Sequence, residues 1–235
     1  MKGKSVIKLG GSLLFTENKE LDAEKINKFC QIFKKSEYSG SHVIICGGGI
    51  IARDYINSVR LFQGNEALCD TFGIDLSRIN SKLLIASFQD FAYPLVPKSI
   101  EELSMALLFH KIIVMGGLQP GQSTTSVALE VAEFINAEEL VILTDVGGIY
   151  DKDPKKFNDA QLLKSLKYEE LQEIIIRSSG DKQAAAGEYR IFDAVSLQIL
   201  KRSNIKTIIM SGKNLKQFEK YWNGEEVFSC TIITD

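Results

Sequence analysis

Ser5-Val6-Ile7-Lys8-Leu9, followed at once by Gly10-Gly11-Ser12, decides how the chain reads. The first five residues are a short β-branched apolar run of strand type, interrupted by one cation, and the next three form a turn almost bare of side chains. The same order returns twice. His42 to Cys46 runs into Gly47-Gly48-Gly49, and Lys111 to Met115 runs into Gly116-Gly117, with Pro120 and Gly121 just beyond. Other strand-like runs lie at Ala92 to Val96, Leu140 to Thr144 and Ile205 to Met210. Val227 to Ile233 reads as a last strand, antiparallel at an edge or beside Ile205 to Met210. Apolar runs this continuous belong to strands covered on both faces.

Helical patterns fill the intervals. Behind Asp22 as N-cap, Ile26, Phe29, Cys30 and Phe33 recur at helical spacing up to Lys35. Ser99 and Glu102 have capping-box spacing and open a helix to Phe109. The pattern predicts further helices over Ile50 to Phe62, Phe72 to Phe88, Thr124 to Asn136, Tyr168 to Ser178, Phe192 to Arg202 and Asn214 to Trp222. Strands alternating with helices imply an α/β fold with a mainly parallel sheet and helices on both faces. No repeat, low-complexity tract or linker divides the chain, so residues 1–235 are expected to form one unit, with its crevice at the carboxyl ends of the strands.

Composition narrows the function. Hydrophobic residues make up 45% and charged residues 25%, the balance of an ordinary globular protein. With 28 basic against 30 acidic side chains, the net charge of -2 offers no positive field for a nucleic-acid backbone. No apolar run approaches the ~20 residues of a membrane span, and a cytoplasmic address is expected. Cys30, Cys46, Cys69 and Cys230 have no metal-binding or redox spacing, and His42 and His110 stand alone. All six read as ordinary structural residues.

Bare turns after neighbouring strands let a ligand approach the backbone and aim N–H groups at phosphate oxygens, with a helix N-terminus behind them. Glycine in one such turn also serves simply to permit positive φ. Three turns at one end of a sheet point instead to a cradle for more than one phosphate. Neither G-x-x-x-x-G-K-[ST] nor G-x-G-x-x-G occurs, which disfavours a P-loop kinase and a dinucleotide-binding fold. Lys8, at the end of a buried strand, either wants an anion or reaches out to water. Arg53 lies near the start of a helix, where positive charge is disfavoured unless an anion is near; a plain surface arginine is the alternative. After Leu140 to Thr144 comes Asp145-Val146-Gly147-Gly148-Ile149-Tyr150, then Asp151-Lys152-Asp153-Pro154. Asp145 is placed to orient a lysine or hold a magnesium-bearing phosphate, and Tyr150 to wall an adenine, unless the stretch is only a turn.

These motifs, in this order and spacing, resemble the amino-acid kinase superfamily over essentially the whole chain. Gly49-x-x-x-Arg53-x-Tyr55, Asp70-x-x-Gly73-Ile74 and Gly116-Gly117-Leu118-Gln119-Pro120-Gly121-Gln122-Ser123-Thr124 resemble its UMP kinase branch in the archaeal form. The resemblance implies a three-layer α/β/α sandwich that passes the γ-phosphoryl of ATP to UMP with Mg2+, a step of pyrimidine nucleotide biosynthesis. It implies a homohexamer as well. By the same resemblance, Gly11 and Ser12 match positions at the ATP phosphates, and Lys8 matches the lysine that stabilises the group in transfer. Gly48 matches a UMP contact, while Gly49 and Arg53 fall on the phosphate side. Asp70 matches an acceptor for the UMP ribose hydroxyls, and Leu118, Gln119, Pro120, Gly121, Gln122, Ser123 and Thr124 match the loop that holds the rest of UMP. Thr144, Asp145, Tyr150 and Asp153 match the ATP nucleoside pocket, Asp145 also orienting Lys8. The N-terminal part of the chain is thus mainly the UMP side and the C-terminal part mainly the ATP side.

Two positions depart from the family pattern. The string T-[ND]-V-D-G-[VI]-Y has Gly147 where a carboxylate is usual, and Asp193-Ala194-Val195 replaces an Asp-Pro-Leu helix start. The rival readings are a kinase of isopentenyl phosphate, carbamate or an amino-acid carboxylate, and a non-catalytic nucleotide- or oxyanion-binding protein on the same fold. Isopentenyl phosphate kinases have a histidine soon after the second glycine cluster, where this chain has Ile50-Ile51-Ala52-Arg53.

Overall fold

The computed structural model describes residues 3–36, 40–152, 154, 156–179 and 191–235. Its strands are β1 (Ser5–Leu9), β2 (His42–Cys46), β3 (Ile112–Met115), β4 (Glu139–Thr144), β5 (Ser165–Leu166), β6 (Lys206–Ser211) and β7 (Cys230–Ile233). They form one sheet in the order β3-β2-β1-β4-β6-β7-β5. Every pair from β3 to β6 is parallel, as the alternating pattern requires. β7 runs antiparallel to β6, with Thr207 opposite Ile233 and Met210 opposite Cys230, which realises one of the two placements expected for the last strand. The two-residue β5 is parallel to β7 and too short to show a period in the sequence.

The helices are α1 (Ala23–Lys34), α2 (Gly49–Leu61), α3 (Glu66–Phe88), α4 (Ile100–Ala106), α5 (Thr124–Phe134), α6 (Tyr168–Ser179), α7 (Ala194–Ser203) and α8 (Leu215–Trp222). Alternation along the strands sends Val6, Val43, Ile142 and Ile209 to one face, against Leu103 of α4, Val131 of α5, Leu171 of α6 and Ile199 of α7. Ile7, Ile44, Val141 and Ile208 go to the other, against Phe29 and Phe33 of α1, Leu84 and Phe88 of α3, and Phe218 and Trp222 of α8. Three layers result, α/β/α.

Two expectations are corrected. Ala92 to Val96 is no strand: Ala92 makes an isolated bridge to Ile112, and Tyr93 N–H donates to Ile112 O at 2.9 Å. Pro94 and Pro97 carry no N–H, so the ladder cannot continue. α3 begins at Glu66, six residues before the expected Phe72, because Asn65 caps it by accepting from Leu68 N–H at 2.9 Å. The four cysteines are unpaired and buried. His42 sits at the start of β2 with Nδ1 2.8 Å from Ser5 Oγ and its ring edge-on to Trp222, at the end of the sheet away from the glycine turns. Burial lowers its pKa to about 4. Among the described residues, no helix is long and apolar enough to cross a membrane.

β1 and β4 mark the point from which the strand order proceeds in opposite directions, the place at whose carboxyl ends open α/β sheets bind their ligands. The bare turns after β1, β2 and β3 and the Asp145 turn after β4 all lie on that rim.

Candidate functional site

The ladder of the sheet runs on into the first two turns. Gly10 N–H donates to Leu143 O at 2.9 Å, and Gly47 N–H donates to Leu9 O at 3.0 Å. Beyond this the two turns lie backbone on backbone. A Cβ on Gly11 would stand 2.2 Å from Gly49 N, and one on Gly49, whose φ is +76°, would stand 2.6 Å from Gly11 O. Side chains are therefore excluded from both.

The caps sharpen the picture. α1, α3, α4, α5, α7 and α8 each start at an Asp, Asn or Ser whose side chain accepts a backbone N–H. α2 starts at Gly48 and the short 3-10 turn Gly11–Leu14 starts at Gly10, neither with a side-chain cap. Leu13 N–H donates back to Gly10 O at 2.9 Å, and backbone donors at a start with no side-chain cap suit an outside acceptor, with the positive end of α2 adding to the potential. Arg53, one turn into α2, is half-buried with Nε 3.5 Å from Gly49 O.

Lys8 points to the same face of β1 as Val6 and is 8% exposed. Burial lowers its pKa to about 8, with Cys46 and Asp145 acting in the opposite direction. A buried ammonium beside uncapped N–H groups is a site for an anion. Asp145, at the tip of β4, accepts from the buried Thr144 hydroxyl at 3.3 Å. Tyr150 bridges to Leu162, and its hydroxyl lies 2.9 Å from where a Cβ on Gly147 would be. A side chain at Gly147 would thus press on the Tyr150 hydroxyl. Asp153 lies outside the described residues.

On the other side the third turn is fastened to α3. Gly117 N–H donates to Ser77 Oγ at 2.7 Å, and Arg78 donates from Nε to Gly117 O and from a terminal nitrogen to Leu118 O, both at 3.0 Å. Asp70 accepts from Gly121 N–H at 2.8 Å. Asn80 donates to Gly47 O at 2.9 Å and to Gly48 O at 3.1 Å. A Cβ on Gly116 would meet Ser77 Oγ at 2.5 Å, so this glycine pair serves contact with α3 as well as openness toward a ligand. Ser123 caps α5, and Gln122 Nε2 donates to Glu130 at 3.0 Å.

The fold therefore brings many of the residues singled out from the sequence into two groups, with Thr144, Asp145 and Tyr150 at and beyond the end of β4 beside them. Lys8, Gly11, Ser12, Gly48, Gly49 and Arg53 share the stacked turns, and Asp70 meets the loop from Leu118 to Thr124 through Gly121. Ser77, Arg78 and Asn80, which fasten the turns to α3, were not singled out from the sequence, and Asp193 was noted only as a helix start. The first three stand among many other polar residues of α3, so nothing in the sequence set them apart. Asp193 is buried at the start of α7, where it forms a capping box with Ser196 and accepts from Ser126 Oγ of α5 at 3.1 Å. The Asp-Ala-Val departure keeps its helix start. Among the described residues there is no cluster of three or more His, Cys, Asp or Glu that could hold a metal unaided.

The model of the amino acid kinase family matches residues 3–211. A uridylate kinase of Methanobrevibacter smithii is 42% identical over 229 residues, covering 97% of this chain and 99% of its own. One of Sulfolobus acidocaldarius is 36% identical, covering 99% of this chain and 100% of its own. Among solved structures, a uridylate kinase of Archaeoglobus fulgidus superposes with a TM-score of 0.79 at 32% identity, over the whole of both chains.

Proposed function

The chain belongs to the amino acid kinase family, and we propose that its reaction is transfer of the γ-phosphoryl group of ATP to UMP, giving ADP and UDP. The observation that carries this reading is the buried Lys8 ammonium beside two stacked, side-chain-free turns that open onto uncapped helix starts. The choice of acceptor is supported by the full-length likeness to uridylate kinases.

In this reaction a UMP phosphate oxygen attacks the γ-phosphorus, the bond from that phosphorus to the β,γ-bridging oxygen breaks, and ADP leaves. The protein must align two polyanions and neutralise charge as it spreads over the group in transfer. We assign neutralisation to Lys8 and to the N–H groups of the Gly11–Ser12 turn, and the approach of the acceptor phosphate to Gly48, Gly49 and Arg53. Asp70 and the Leu118 to Thr124 loop hold the rest of UMP. Thr144, Asp145, Tyr150 and Asp153 hold the ATP nucleoside, and Asp145 supports the charge of Lys8. Transfer is direct, since His42 is at the far end of the sheet and neither histidine lies in a glycine turn.

Mg2+ takes one or two carboxylates together with substrate phosphates, not a protein cage, and Asp145 is a donor of that kind. Such an ion supplies charge neutralisation on the donor phosphates. We read residues 1–235 as one unit, acceptor side first and ATP side second, working in the cytoplasm, where its four unpaired cysteines would remain reduced. We also infer a homo-oligomer, a hexamer by resemblance.

A coupled assay of ADP release with UMP, CMP, AMP, isopentenyl phosphate and aspartate tests the reading. The expected result is turnover with UMP well above the others. Nucleotide binding without turnover on any acceptor would favour a binding protein, and preference for isopentenyl phosphate or aspartate would reassign the acceptor.

A further inference from the structure

We propose that Arg78 is a positioning residue for the acceptor: by holding two consecutive carbonyls of the β3–α5 loop, it turns two backbone N–H groups toward the crevice. The inference rests on the assignment of UMP to that loop and adds a residue that no motif singled out.

A trans peptide is planar, with its N–H directed opposite to its C=O. Arg78 draws the carbonyls of Gly117 and Leu118 to α3. The N–H groups in the same two peptide planes, those of Leu118 and Gln119, therefore face away from α3. Ser77 fixes the preceding plane in the opposite sense, since there it is the Gly117 N–H that turns to α3. The reversal between consecutive planes is thus enforced by two neighbouring side chains of one helix. A guanidinium is suited to the task because its donors form a rigid fork, whereas an ammonium is a single point that cannot hold both carbonyls in the same way. Bare Gly116 and Gly117 let the loop lie close enough for the fork to reach. What is presented to the crevice is a pair of adjacent donors suited to one acceptor oxygen.

Arg78→Ala and Arg78→Lys test this by steady-state kinetics with both substrates varied. For Arg78→Ala the expected result is a rise of about tenfold or more in KM for UMP, the scale of losing hydrogen bonds from a charged donor, with KM for ATP changed less than about twofold. Arg78→Lys should recover part of the loss, and free guanidinium ion should lower KM for UMP in Arg78→Ala while leaving the wild type unchanged. A merely structural role would raise both KM values together and would not respond to guanidinium. That pattern, or an unaltered KM for UMP, overturns the proposal. If the alanine variant does not fold, the lysine variant carries the test, because an unaltered ratio of the two KM values there overturns it equally. Absence of UMP turnover in the wild type would instead refute the function on which the proposal rests.

Discussion

Lys8 gives up its hydration to stand in β1, and that cost is visible in its pKa of about 8. The unfolded chain would carry it near the ordinary lysine value of 10.5. Between those two values the unfolded state binds more protons, so Lys8 makes stability rise with pH across that window, and below it the full penalty applies, a few kcal/mol in scale. Lys8→Met should therefore be more resistant to urea than the wild type at pH 7, with the gap narrowing from pH 8 to pH 10. The same variant should lose roughly 10²–10³ in kcat if, as proposed, Lys8 supplies the charge that stabilises the moving group. Gain of stability with unchanged turnover would take Lys8 out of the mechanism. The free-enzyme pKa also predicts that kcat/KM declines as pH passes about 8. In Lys8→Arg, which stays charged, that decline should be absent from the pH profile. For Lys8 the sequence showed a cation interrupting an apolar strand and left two readings open, an anion partner or escape to water; its burial in the fold removes the second. Arg78 was not legible there, because its partners are carbonyls some forty residues away, and nothing in the chain's pattern announces which loop a helix will meet.

Among the elements, α7 and α3 show where sequence patterns succeed and where they stop. The start of α7 is set by Asp193, whose carboxylate takes both the Ser196 N–H at 2.7 Å and the Ser126 hydroxyl, joining α7 to α5. Asp193→Ala removes a cap and leaves the buried Ser126 hydroxyl without that acceptor, so a loss of about 2–3 kcal/mol is expected in urea unfolding. Asp193→Asn, which keeps one acceptor oxygen, should lose less. Equal losses would mean that the charge, not the cap, is what matters there. The parallel strands were legible because continuous β-branched runs followed by glycine leave little else to form. Ala92 to Val96 had the composition of a strand but not its donors. The first turn of α3 was hidden for a different reason: Leu68 is half exposed and Glu66 and Asp70 are polar, so no apolar period marks the turn, and only the Asn65 cap betrays it.

At the scale of the whole molecule, α3 has two working sides. At about 100° per residue, Leu68 and Ile79 fall on one side of the helix, and Asp70 and Ser77 on the other. The second side is tied, through Gly117 and Gly121, to the loop proposed to hold the acceptor. The first carries exposed apolar groups, and the end of the neighbouring α2 adds Leu61 and the adjacent Phe62, each 82% exposed. Large apolar side chains gathered on the surface mark an association site. If this face joins copies of the chain, assembly stiffens the helix against which the acceptor loops are set, and dissociation loosens it. Sedimentation of the wild type should accordingly show an oligomer, and Phe62→Glu combined with Ile79→Glu should shift it to smaller species. In the dissociated form KM for UMP should rise more than KM for ATP, since Asp70 and Arg78 of α3 hold the loop assigned to the acceptor directly, whereas Thr144, Asp145 and Tyr150, assigned to the ATP nucleoside, lie at and beyond the end of β4. A dissociated variant with both constants unaltered would show that the two sides of α3 act independently, and an unaltered sedimentation profile would move the contact to another face of the molecule.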